Sequence, residues 1–243
     1  MKPALLVGLF AAALGFAAPA LASKVVMRDV TCPIDGRKFK ALVQLSAYVT
    51  GRRLDLRPVG RVAAPSPLPV CPGSGFPVFE DEFDAAQLGR IRRILNTAEY
   101  RKVRQAHPSY YVAAFIKEKL GYDASEVAMD VLRAAWQAEN GEKSADVYLD
   151  EALRRFDALA RSAKPSEKSR ATALFLTVEL SRRLGRFEDA GVRLDRFEAD
   201  IRQNNVDFRS DLIRQERELI AKRDSTPQVQ RAGKEAEEGR KEE

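Results

Sequence analysis

Residues able to do chemistry are few in this chain and unevenly placed. Its two cysteines each open a small turn of the same type, Cys32-Pro33-Ile34-Asp35-Gly36 and Cys71-Pro72-Gly73-Ser74-Gly75. A C-P-x-C-G turn presents thiolates to a metal, and two such turns together offer four to one tetrahedral ion. Here the second cysteine of each turn is absent, with Asp35 and Ser74 in its place. His107 is the only histidine and sits before a proline, so a His-based triad or a Cys-His dyad has little to be built from. The phosphate-cradling G-x-x-x-x-G-K-[ST] loop, the H-E-x-x-H helix and the dinucleotide-binding glycine pattern are missing too. Neighbouring acids such as Glu80, Asp81 and Glu82 occur, as charged helices supply them without any catalytic purpose. The expectation is a protein that is not an enzyme, with no cofactor and no metal.

A different chemistry is offered by Phe175, Glu179, Arg182 and Arg183, which lie in the stretch Arg170 to Gln203. Apolar residues recur there at helical spacing in two segments separated by Gly185. In the second segment Phe187, Ala190, Leu194, Phe197 and Ile201 form one stripe opposite charged residues, as in a surface helix. In the first, Leu174 and Val178 lie on one side while Leu176, Leu180 and Leu184 lie on another, as in an inner helix with apolar neighbours around most of it. Gly185 suits a left-handed cap, and Arg182 and Arg183 complement the negative end of the helix. A short turn makes the two helices antiparallel neighbours.

The run Leu184-Gly185-Arg186-Phe187-Glu188-Asp189-Ala190 resembles the turn of a tetratricopeptide repeat, and Trp136, Ala152 and Phe156 repeat that spacing upstream. Ala152 and Ala190 are farther apart than the roughly 34 residues of a regular repeat, so degenerate repeats and plain helical hairpins both remain open. In a repeat register anchored at Gly185, the resemblance implies that Phe175, Glu179, Arg182 and Arg183 face a groove able to grip an acidic peptide or a terminal carboxylate. The alternative is that Phe175 is core and the arginines cap the helix.

The elements around these residues follow in order. Residues 1–22 read as a signal peptide: Lys2, then an apolar stretch from Leu5 to Ala18, then Ala20-Leu21-Ala22 as a cleavage site. The expected location is exported, periplasmic or extracellular, and no later run is long enough to span a membrane. Residues 23–80 carry prolines and glycines between short apolar runs, which are strand and turn signals. Residues 81–223 are helical, opening with a cap at Asp81 or Asp84 and broken at His107-Pro108-Ser109. The residues from 224 to 243 lack apolar periodicity and read as a disordered charged tail. The formal net charge of +6 is spread through helices in which arginines and acids alternate, so no nucleic-acid partner is expected. Arg90, Arg92, Arg93, Arg101, Lys102 and Arg104 form the densest basic region and read as solvated helix faces, with an anion site as the alternative.

The order T-C-P-I-D-G-R-K-F, then V-C-P-G-S-G-F-P-V-F-E-D-E-F, then E-L-S-R-R-L-G-R-F-E-D-A resembles the uncharacterised bacterial domain-of-unknown-function family 2225. That resemblance runs from about Val30 to Ala221 and implies a zinc-ribbon-like knuckle pair joined to tetratricopeptide-like helices. The fold class it implies is α+β and mostly α: a small strand-rich, degenerate zinc-ribbon-like region followed by antiparallel helical hairpins. Complete knuckles imply zinc, and this chain lacks two of the four thiols. Knuckle geometry places the two leading cysteines against one another, which implies a Cys32–Cys71 disulfide in an oxidising compartment. A residual metal site and free or intermolecular thiols are the alternatives. The function expected is an exported scaffold that binds a protein or peptide through a helical groove. The alternatives are an envelope protein binding through its knuckle region and a weak metal binder.

Overall fold

The computed structural model describes residues 24–141, 144–164 and 168–231. The expected signal peptide and the last residues of the chain lie outside them. The fold is α+β and mostly α, as expected: two small antiparallel ribbons precede eight helices among the described residues.

Strands β1 (Lys24–Thr31) and β2 (Lys38–Ser46) form the first ribbon, joined through the first cysteine turn, with Met27 opposite Leu42 and Val30 opposite Phe39. Strands β3 (Tyr48–Arg52) and β4 (Pro58–Arg61) form the second, and residues 53–57 make the tight turn between them. Within that turn Leu56 takes a positive φ of 69°, an unusual conformation for a side chain bearing a Cβ.

The helices are α1 (Ala85–Leu95), α2 (Ala98–Ala106), α3 (Ser109–Leu120), α4 (Ala124–Glu139), α5 (Asp146–Ser162), α6 (Lys168–Arg183), α7 (Phe187–Gln203) and α8 (Ser210–Ala221). Asp84 caps α1 in a reciprocal box with Gln87. From α3 onward the loops are short and each helix packs on its sequence neighbours, with α8 also reaching back to α6. Gly185 has φ +72°, and Gly185 N–H and Arg186 N–H donate to Arg182 and Ser181 carbonyls, which closes α6 with the left-handed cap its sequence called for.

Helix α6 is the inner helix, buried on most of its circumference. Leu176 and Leu180 face the central core with Trp136, Leu149 and Phe156. Phe175 and Val178 face a second core with Leu194, Phe197 and Leu212. Helix α7 buries Ala190, Leu194, Phe197 and Ile201 of the expected stripe, while Phe187, at its first turn, is only half-buried beneath the Arg223 guanidinium. A third core encloses the cysteines with Phe76, Ile91, Tyr100 and Ile116, so the strand-rich region shares its interior with α1–α3. Leu54, from the turn after β3, is fully buried in the second core.

Residues 224–231 depart from the disordered tail expected there. Leu54 N–H donates to the Gln228 carbonyl at 2.9 Å and Gln230 N–H to the Arg52 carbonyl at 2.8 Å, so the segment runs as an extra bridge along the end of β3. Backbone pairing with an open strand end holds it, which needs no apolar period and leaves none in the sequence.

Candidate functional site

The two cysteine turns are one turn built twice. In each, the cysteine carbonyl accepts from the glycine four residues on, and the cysteine N–H donates to a carbonyl five residues on: Gly36 and Arg37 for Cys32, Gly75 and Phe76 for Cys71. Gly36 and Gly75 have φ +71° and +70°, where only glycine is unstrained. The residues standing where thiols are missing have matching roles, since Asp35 accepts from Arg37 N–H and Ser74 Oγ from Phe76 N–H. Cys32 and Cys71 are joined in a disulfide with Cα atoms 5.5 Å apart, and both are fully buried. The donor set does not fit zinc: the two sulfurs are bonded to each other, and the replacement side chains cap their own turns.

The four groove candidates on α6 are placed differently from one another. Phe175 packs on Phe197 and Phe208 with ring centroids 5.9 and 5.2 Å away. Arg182 is fully buried between Glu179 at 2.5 Å and Glu216 of α8 at 3.0 Å. Its other nitrogen donates to the carbonyls of Asp224 and Thr226 at 2.5 and 3.0 Å. Burial, then the nearby Glu216, pushes the Glu179 carboxyl well above its ordinary range against the pull of Arg182. Arg183 belongs to a separate cluster, 2.6 Å from Glu139 and 3.3 Å from Asp55. Arg53 and Arg57 also meet Glu139, and Trp136 Nε1 donates to Asp55 at 3.1 Å. Burial pushes the Glu139 carboxyl up, but bonds from Arg53 and Arg183 outweigh it and hold it at about 2.

The expected groove lining is therefore corrected. Glu179, Arg182 and Arg183 do not face an open groove: α8 and residues 224–226 take up Glu179 and Arg182, while Asp55 and Glu139 take up Arg183. Phe175 lines a cleft of about 560 Å³ beside the amino-terminal half of α6. Leu56, Phe208 and Leu212 share its apolar floor, with Arg52, Lys168 and Arg209 against the single acid Asp207 around it. Thus the inner face of α6 is half filled by the chain's own carboxyl-terminal segment and half open.

Residues 25–222 match the family described as uncharacterised proteins conserved in bacteria, DUF2225. The chain belongs to this family. No curated protein and no solved structure matches it. For this DUF2225 chain the sequence motifs located the cysteine pair and the cap of α6, but not Asp55, Glu139 or Glu216. Asp55 lies in the run Arg53-Leu54-Asp55-Leu56-Arg57, whose charges have the composition of an exposed turn, and nothing in it signals burial.

Proposed function

We propose that the protein is an exported, non-enzymatic interaction module that holds an extended segment of another protein against the inner face of α6. The observation that carries this reading is an internal one: Arg182 holds the carbonyls of Asp224 and Thr226, while Gln228 and Gln230 pair with the end of β3. An extended chain already lies in this groove, and the open cleft continues it. Arg52 and Lys168 over an apolar floor, with Arg209 already held by Asp211, suit a peptide carrying an acid or terminal carboxylate next to a large apolar side chain. Export is supported by the disulfide and by the leader-like residues 1–22. Among the described residues no helix is long and apolar enough to cross a membrane. Both thiols are taken up by the bridge, and His107 Nδ1 lies 3.2 Å from the Tyr148 hydroxyl with its ring stacked on Tyr111; both facts support a role other than catalysis.

A displayed library of random carboxyl-terminal peptides, selected on the disulfide-intact protein, tests this. The expected winners carry an acidic end and an apolar anchor, and their binding falls at least about tenfold with Lys168→Glu plus Arg52→Glu. Selected peptides that ignore both changes would place the contact elsewhere.

A second reading, an envelope protein that docks through its knuckle region, is favoured by one feature. Among the described residues β1 and β2 pair only with each other, with Phe39 packed on the third core at one end, and Met27 and Leu42, opposite each other, are 57% and 49% exposed. Isolated two-stranded ribbons are marginal in water, so a covering partner would stabilise this one. Met27→Glu with Leu42→Glu separates the readings, because it spares the cleft.

A further inference from the structure

The basic residues of α1 and α2, which read in sequence as solvated helix faces, converge in space. Arg92, Arg101 and Arg104 line one depression of about 470 Å³ together with Ile34, Ser74 and Asn96. Their hydrogen bonds go only to carbonyls: Arg92 to Ile34, Arg101 to Asn96, Arg104 to Gly73 and Ser74. Among the described residues none of the three pairs with a carboxylate. Other arginines, such as Arg155, Arg170, Arg193 and Arg217, each sit against an acid, whereas these three are gathered at one depression without one. The acid of the first knuckle, Asp35, has one oxygen held by the Arg37 N–H and the other near Gly73 at the edge of the depression, 3.9 Å from the Arg37 guanidinium, and it pairs with none of the three arginines.

The carbonyl contacts fix where these guanidiniums stand. Arg92 reaches the tip of the first knuckle and Arg104 the tip of the second, so the depression lies where the disulfide-linked turns meet the helices. A guanidinium has five N–H donors, and each of these uses only one or two on the protein. Three uncompensated cations with unused forks favour one compact anion of high charge, and a carboxylate would neutralise only one of them. A phosphoryl group, with up to two charges and several terminal oxygens, matches better. No aromatic side chain lines the depression, so it lacks the stacking platform of a single-stranded nucleic-acid site. A neighbouring depression of about 420 Å³ shares Gly73 and Arg104 and extends past His107, leaving room for the rest of a phosphorylated molecule.

We infer that Arg92, Arg101 and Arg104 form a binding site for a phosphoryl group, carried either by a soluble phosphorylated molecule or by a phospholipid headgroup. It is separate from the cleft on α6. The test uses the disulfide-intact protein at about 0.15 M salt, where diffuse surface attraction is screened. Inorganic phosphate and pyrophosphate are titrated calorimetrically, and flotation is run with phosphatidylcholine vesicles with and without phosphatidylglycerol. Arg101→Glu is the informative variant, because Arg101 is exposed and holds only the Asn96 carbonyl, whereas Arg92 and Arg104 also hold the knuckles. The expected result is saturable binding that drops at least about tenfold with Arg101→Glu. Arg101→Lys should recover part of it, and Lys102→Glu, which is outside the depression, should leave it nearly unchanged. Binding of the soluble anions alone assigns a soluble ligand, and flotation that requires phosphatidylglycerol assigns a headgroup. No saturable binding of any of these, or equal losses in the Arg101 and Lys102 variants, would overturn the site.

Discussion

The strand-rich region and the helical region hold themselves together by different means. From residue 24 to 80 few side chains are buried, and Leu54, Cys32, Cys71 and Phe76 among them lie in cores shared with helices. The region is stapled by one disulfide and clamped by arginines on its turn carbonyls. The helices bury continuous apolar faces, yet enclose two clusters of charge at the carboxyl-terminal end of α6. Small strand regions lack the volume for a core and borrow one, while a helical array has core enough to tolerate buried ions. The adjacent arginines of α6 divide the work, since Arg182 binds α8 and the final segment and Arg183 binds the turn after β3. One helix end thus joins both regions.

Breaking that joint should have the largest effect. Arg182→Leu leaves Glu179 and Glu216 buried without their cation and is expected to cost about 5 kcal/mol, read from urea unfolding. Loss near 1 kcal/mol would mean that the two acids are already neutral and that the helical region does not depend on this charge. Next in size is the staple. Cys32→Ser with Cys71→Ser releases a loop of about 40 residues and should cost about 4 kcal/mol. Because the bridge is buried on α1–α3, hydrogen exchange should speed up in those helices along with the strands, while α5–α7 stay protected. Loss confined to residues 24–80 would show that the strand region has a separate interior after all.

The smallest effect, and the one that sharpens the contrast between the two charge clusters, is in pH dependence. Glu139 titrates at about 2 in the folded chain against an ordinary 4.5, so the stability it contributes is complete above 4.5 and is lost as pH falls towards 2. Glu179 is shifted the other way. Its contribution is complete below 4.5 and is lost as pH rises through its raised value. Urea midpoints measured across pH should therefore decline on both sides. Glu179→Gln with Glu216→Gln should reduce the alkaline decline and leave the acid limb, because Glu216 is raised as well. Glu139→Gln should reduce only the acid limb, leaving the part that other paired carboxyls such as Glu118 and Asp189 supply.

Much of this was legible locally. The repeated C-P-x-x-G turns specify their own hydrogen bonds, because glycine alone takes their positive φ without strain and Asp35 or Ser74 caps the same N–H in each. The α6–α7 hairpin was legible for a similar reason, since periodicity and a capping glycine are properties of a single stretch. The fate of Arg182 and Arg183 was not. Arginines in a last helical turn look the same whether they complement a dipole or are buried, and their partners lie far off in sequence: Glu216 is 34 residues away and Asp55 is 128. The order in residues 224–231 was hidden for a related reason, since backbone pairing with β3 leaves no side-chain pattern.

By itself, the sequence determined the echoed cysteine turn and the inner and outer helices of the hairpin, which follow from spacing along the chain, while the fold class and the pairing of the two cysteines were what its resemblance to the knuckle-bearing family implied. Only the tertiary structure decided which side of α6 is covered, which acids its arginines meet, and that Arg92, Arg101 and Arg104 stand together without a carboxylate. Charge in a sequence shows neither burial nor partner, because Coulomb attraction acts through space and is strengthened or screened by whatever the fold places around it.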